Sequence, residues 1–126
     1  MSKLIIKKRQ GLYVIPAESI IYMEKNLRKI CLYVRDAGRN MDQRFEFYGK
    51  FSDLLPQLDD RFMYCHRSYV INMDAIVWMA GCEIYISPDI SIHIGRDAYG
   101  RARKIFVDYL NKKYPEKTLK NTKFFL

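Results

Sequence analysis

The chain has 126 residues, 49% of them hydrophobic, with seventeen Tyr and Phe residues and a formal net charge of +8. That length supports one domain and excludes two independent cores, and the apolar and aromatic content excludes a disordered chain. The charge admits a polyanionic partner without requiring one.

Distribution of charge says more than its total. Residues 1–44 carry ten Lys/Arg against four Asp/Glu, residues 96–126 carry nine against three, and residues 45–95 carry three against seven. Arg67 is therefore one of three cations in an acidic block, beside Lys50 and Arg61, and generic surface charge does not account for it.

The amino-terminal run from Met1 to Arg9 has an apolar core too short for a signal peptide. Runs rich in β-branched and aromatic residues then recur at 3–8, 12–15, 19–24, 30–35, 43–48, 62–65, 69–71, 75–79, 83–87 and 90–94, which predicts a mainly-β fold. Gly11, Pro16-Ala17, Asp36 to Asn40, Asn72, Gly81 and Ser87-Pro88-Asp89 supply turns between them. Two segments break this rhythm. From Lys50 to Leu58, Phe51, Leu54, Leu55 and Leu58 are spaced three and four apart, which predicts a short amphipathic helix ended or interrupted near Pro56. From Arg96, residues Ala98, Ala102, Ile105, Phe106, Tyr109 and Leu110 share one face, predicting a terminal helix packed on a sheet. The boundary falls at 1–113 for the domain and 114–126 for a basic, loosely held tail in which only Phe124-Phe125-Leu126 offers apolar surface.

Little of the sequence suggests catalysis. There are two His residues, no glycine-rich phosphate loop and no H-x-x-x-H or G-x-S-x-G pattern, so no enzyme and no cofactor is expected. Asp59-Asp60 reads as a solvated turn rather than a metal site. Cys65 and His66, as strand neighbours, point to opposite faces, which makes Cys65 a packing residue and not a nucleophile. Cys31, Cys65 and Cys82 are odd in number and form no C-x-x-C, so neither a disulfide framework nor zinc is implied. The longest apolar stretch, Ala75 to Cys82, is too short to span a membrane. A cytoplasmic location is expected.

Polar, mostly basic residues remain where loops are predicted: Lys25-Asn26-Leu27-Arg28-Lys29, His66-Arg67-Ser68, and Arg96 with Arg101. Loops on a rigid β scaffold commonly carry recognition. Lys25 to Lys29 reads equally well as a solvated hairpin tip. Arg96, in a first helical turn, opposes the helix dipole, which a nearby phosphate would make tolerable. Asn72 is expected to be structural, through a turn or left-handed conformation, and Trp78 to serve packing.

At these residues the sequence resembles the LytTR (LytR/AgrA-type) DNA-binding domain of bacterial transcriptional regulators. Four segments carry the resemblance in order: Ile15 to Glu24, Phe47 to Leu58, Phe62 to Asn72 followed by Ile76, and Ile94 to Tyr99. The third, with Cys65-His66-Arg67-Ser68-Tyr69, is the most distinctive, and together they span about residues 10–112. The resemblance implies small antiparallel sheets in an elongated layered arrangement, and DNA contacted by loops where most bacterial regulators insert a helix. It further implies that Arg67 and Arg96 reach base edges, with His66 and Ser68 as backbone or orienting contacts. In the first loop the base-reading residue is Arg28 or Lys29, and Lys25 and Asn26 bond phosphates.

The expected function is that of a sequence-specific double-stranded DNA-binding regulator, acting at short direct repeats. A homodimer on DNA and a regulatory protein partner are both compatible with this, and no small-molecule substrate is implied. The 126 residues leave no room for a receiver domain such as response regulators carry, and the start at Met1 favours a standalone member over an excised piece. The competing hypothesis is a protein-interaction module for an acidic or membrane-associated partner, motivated by the basic ends and the Phe124-Phe125-Leu126 tail. RNA binding ranks lower because no aromatic-rich RNP signature is present.

Overall fold

The structure is a computed structural model that describes residues 2–36, 41–87 and 89–117. Among the described residues ten strands and two α-helices follow one another as β1 (Lys3–Lys8), β2 (Gly11–Pro16), β3 (Ile20–Asn26), β4 (Lys29–Asp36), β5 (Met41–Tyr48), α1 (Phe51–Leu54), β6 (Phe62–His66), β7 (Tyr69–Asn72), β8 (Ile76–Ala80), β9 (Glu83–Ile86), β10 (Ile90–His93) and α2 (Arg96–Lys113). The predicted mainly-β fold of small antiparallel sheets, with one short helix and a C-terminal helix, is thus the observed one. Expected features at 37–40, Pro88 and Phe124 to Leu126 lie outside the described residues. The chain divides into two compact units, residues 1–75 and 76–126.

In the first unit a five-stranded antiparallel sheet runs in the order β5-β4-β3-β7-β6, beside a two-stranded β1–β2 ribbon. Alternation sends Met23, Ile30, Leu32, Phe47 and Val70 into the core. The ribbon covers that core with Leu4, Ile6 and Ile15, and α1 with Phe51 and Leu54. Burying one Leu, Ile or Phe side chain contributes about 1.5–3 kcal/mol, so these contacts outweigh any loop interaction. As the Pro56 position predicts, α1 gives way to a short 3-10 turn, Leu55–Gln57. From that turn Gln57 accepts a bond from the Ile5 amide at 3.0 Å through Oε1, pairing the outer edge of β1.

Two polar side chains stitch this unit. Asn72 is 4% exposed, donates from Nδ2 to the Ile20 carbonyl at 2.8 Å, and accepts the Asp74 amide at 2.9 Å. Its structural role therefore runs through the side chain, and its backbone is not left-handed. Asp59 is half-buried and not simply solvated. Its carboxylate accepts the Ser2 hydroxyl, the Arg61 amide at 3.1 Å and the Arg61 Nε at 2.9 Å.

The second unit contains a three-stranded sheet, β10-β9-β8, and α2. Ile84, Ile86, Ile92 and Ile94 are buried in it. Trp78 departs from the packing role expected of it: it is 59% exposed and stacks on Tyr85 with ring centroids 4.7 Å apart. The cause is a register shift between Ile76 and Trp78 on edge strand β8, which turns the indole to the outer face. The apolar face predicted for α2 is only partly used. Ala102 is fully buried, whereas Ile105 is 43% exposed. Among the described residues no helix is long and apolar enough to cross a membrane.

Candidate nucleic-acid interface

Antiparallel pairing of β3 with both β4 and β7 puts two hairpin tips at the same end of the large sheet. The β3–β4 tip is a two-residue loop, Leu27-Arg28, closed by the Asn26↔Lys29 pair. The β6–β7 tip is Arg67-Ser68, closed by His66↔Tyr69. The two tips are tied by the Lys25 amide, which donates to the Ser68 carbonyl at 2.8 Å. One turn further back Glu24 lies opposite Tyr69, whose hydroxyl donates to its carboxylate at 3.3 Å. Burial, reinforced by that carboxylate's charge, raises the Tyr69 pKa, so the phenol keeps its proton.

Each tip has an internal support. In the second, the Ser68 amide donates to His66 Nδ1 at 3.0 Å, which leaves the ring proton on Nε2 and holds the turn shut. The strand bulges between Tyr64 and His66, and Cys65 stays inside. Burial pushes its thiol pKa up to about 11, as suits a packing cysteine and not a nucleophile. In the first tip, the Arg28 carbonyl accepts the Gly49 amide at 3.1 Å. Lys29 is engaged: its Nζ lies 3.1 Å from a Glu46 carboxylate oxygen and 6.0 Å from the centre of the Tyr48 ring. Glu46 also pairs with Arg44, and the hydrogen bond from Lys29 leads in holding its pKa below the usual carboxylate value.

Lys25, Asn26, Arg67 and Ser68, four of the predicted site residues, thus line one shallow concavity of about 410 Å³. Leu27 and Tyr64 complete it, and neither was expected. Leu27 is 89% exposed and adopts φ 59°, a value that bulky L-residues avoid. Its position between Asn26 and Arg28 in a loop was visible; its conformation was not. Arg28 is exposed at the tip itself. Arg96 and Arg101 belong to the second unit, exposed on the first two turns of α2. Five residues apart on a helix, they project roughly 140° from each other and do not share a face. Among the described residues no cluster of His, Cys, Asp and Glu fits a metal.

Hairpin tips bearing cations on a mainly-β scaffold are what the chain presents at this end of the sheet. The particular family follows from comparison with known proteins. The model of the LytTr DNA-binding domain matches residues 10–106, and the chain belongs to that family. The resemblance read from the four sequence segments is therefore correct. Among solved structures, the LytTr DNA-binding domain assigned to a methyl-accepting/DNA response regulator of Bacillus cereus is similar, with a TM-score of 0.64. The match covers 83% of this chain and 96% of that one at 16% identity, and so speaks to fold alone. No curated protein sequence matches.

Proposed function

We propose that the protein is a sequence-specific transcriptional regulator that acts in the cytoplasm and reads the major groove of double-stranded DNA with its hairpin tips. The observation that carries this is the bond from the Lys25 amide to the Ser68 carbonyl, which makes the two tips one rigid reading head. The major groove, about 12 Å wide, admits a two-stranded β-ribbon, and an Arg at a ribbon tip meets guanine O6 and N7 as a fork.

In this proposal Arg67 and Arg28 read bases. Lys29, already matched by Glu46, joins Lys25 and Asn26 in contacting phosphate. His66 and Ser68 act as positioning residues by holding the Arg67 turn. Arg96 supplies a further base contact from the second unit, and Arg101, on another face of α2, a backbone contact. Binding as a pair of copies on short direct repeats would double each such contact.

Selection of bound oligonucleotides from a random duplex pool tests the reading. Enrichment of paired short repeats is expected. A pool that stays random after several rounds at low salt would rule it out.

A further inference from the structure

The β1–β2 hairpin carries a basic turn that the reading head does not use. Arg9-Gln10 closes the hairpin across the Lys8↔Gly11 pair, and Lys7 and Arg9 are exposed beside it. Lys8 anchors this turn to the large sheet: its Nζ donates to the Glu46 carbonyl at 2.9 Å and lies 5.8 Å from the centre of the Tyr13 ring. Lys7, Arg9 and Gln10 thereby face Lys29 and Tyr48 across a concavity of about 360 Å³. Lys29 and Tyr48 also border the next concavity, shared with Arg28 and Leu27. Leu27 in turn borders the one that holds Lys25 and Arg67. The three concavities share lining residues, so Arg9, Lys29, Arg28 and Arg67 lie along one strip. The carboxylate facing this strip is Glu46, already matched by Lys29 and Arg44.

From this geometry we infer that Lys7 and Arg9 form a phosphate clamp, which grips the DNA backbone on the flank of the base pairs read by the tips. The inference rests on the proposed DNA-binding function. It concerns a part of the chain that family membership does not cover, since β1 and Arg9 precede the matched residues 10–106. The chemistry suits phosphate better than bases. Lys7 and Arg9 are exposed ends on a ribbon held back from the tips by Lys8, and duplex DNA offers a charge about every 1.7 Å of its axis. The clamp adds affinity without sequence preference.

The test compares the full chain with Lys7→Ala/Arg9→Ala on a selected duplex and on a random one across a salt series. Both side chains are exposed, and equal thermal midpoints verify that the variant folds. Two lost phosphate contacts are expected to flatten the log–log salt dependence by about 1.8 and to weaken binding about 30-fold at 0.15 M salt. The loss is the same on both duplexes, so the specificity ratio holds. Lys7→Arg/Arg9→Lys keeps the wild-type slope. Trimming the flanking base pairs lowers wild-type affinity to that of the alanine variant and leaves the variant unchanged. An unaltered slope in the alanine variant would overturn the clamp while leaving the reading head intact. Absence of DNA binding by the wild type would overturn the function itself.

Discussion

Lys25 and Ser68, 43 positions apart, are joined by a main-chain hydrogen bond of 2.8 Å where β3 runs past the start of β7. Because the bond is between backbones, no side-chain substitution at either position removes it directly. Two loops that are remote in sequence are therefore tied together at their bases. Pre-organisation of this kind lowers the ordering cost of binding.

Substitutions within the reading head are expected to separate into two kinds. Arg67→Ala should cost about 1–3 kcal/mol on the selected site and relax preference at one base position. Lys25→Ala should weaken all duplexes alike and reduce the salt slope by about 0.9. Binding isotherms on matched and single-mismatch duplexes distinguish them. Equal losses for Arg67→Ala on selected and random DNA would sink its base-reading role.

Leu27 should be a site where glycine is tolerated. It holds φ 59° with 89% of its surface exposed, so Leu27→Gly relieves strain and gives up almost no packing. Unfolding in urea should show unchanged stability or a gain of up to about 1 kcal/mol. Leu27→Val, β-branched in the same conformation, should lose about 1 kcal/mol or more.

Asn72→Ala should rank among the most damaging polar substitutions. It removes the bond that the buried Asn72 side chain donates to the Ile20 carbonyl at 2.8 Å and the one it accepts from the Asp74 amide at 2.9 Å. Orphaning the buried Ile20 carbonyl costs about 1–3 kcal/mol, whereas the amide of the exposed Asp74 can turn to water, so a loss of about 1–3 kcal/mol is expected in denaturant unfolding. A loss below about 0.5 kcal/mol would contradict the buried role.

Acid stability should depend on Asp59. Burial pulls its pKa up, but the bonds from the Ser2 hydroxyl and from the amide and guanidinium of Arg61 together outweigh burial and leave the folded value depressed. A depressed carboxyl contributes stability above its unfolded pKa, and that contribution fades as pH falls through the folded one. Asp59→Asn should therefore lower stability at neutral pH and flatten its decline below about pH 4. Thermal midpoints measured from pH 7 to pH 2 check the slope.

Thiol labelling should sort the cysteines. Cys65 is buried, with its pKa pushed up to about 11, and Cys31 is buried too, while Cys82 is partly exposed in the β8–β9 turn. Iodoacetamide at pH 8 should modify Cys82 in the native protein and reach Cys65 only on unfolding. Native-state labelling of Cys65 at the Cys82 rate would show that its burial is wrong.

Local order in this chain was legible from residue types. Among the described residues the strands lie where β-branched and aromatic runs meet Gly, Pro and Asn, and α1 stops where Pro56 removes a donor. Trp78 was not legible, because a one-residue bulge reverses which face a side chain takes and nothing local announces it. Ile105 was not legible either. The periodicity of α2 describes a face, and does not specify how much of that face the tertiary structure covers.

For the interface the division is similar. Residue chemistry alone picked out Arg67 as a cation without a generic cause, marked the loops that carry Lys25 to Lys29 and His66 to Ser68, and supported the family resemblance. Tertiary structure decided which of these lie together. Strand order β4-β3-β7 brings Lys25 to Ser68, the Glu46 carboxylate engages Lys29 and leaves Arg28 at the tip, and Lys8 carries Arg9 toward the same strip. The physical reason is that side-chain chemistry and turn propensity act over a few residues, whereas strand pairing joins residues dozens of positions apart through backbone bonds that any sequence can make.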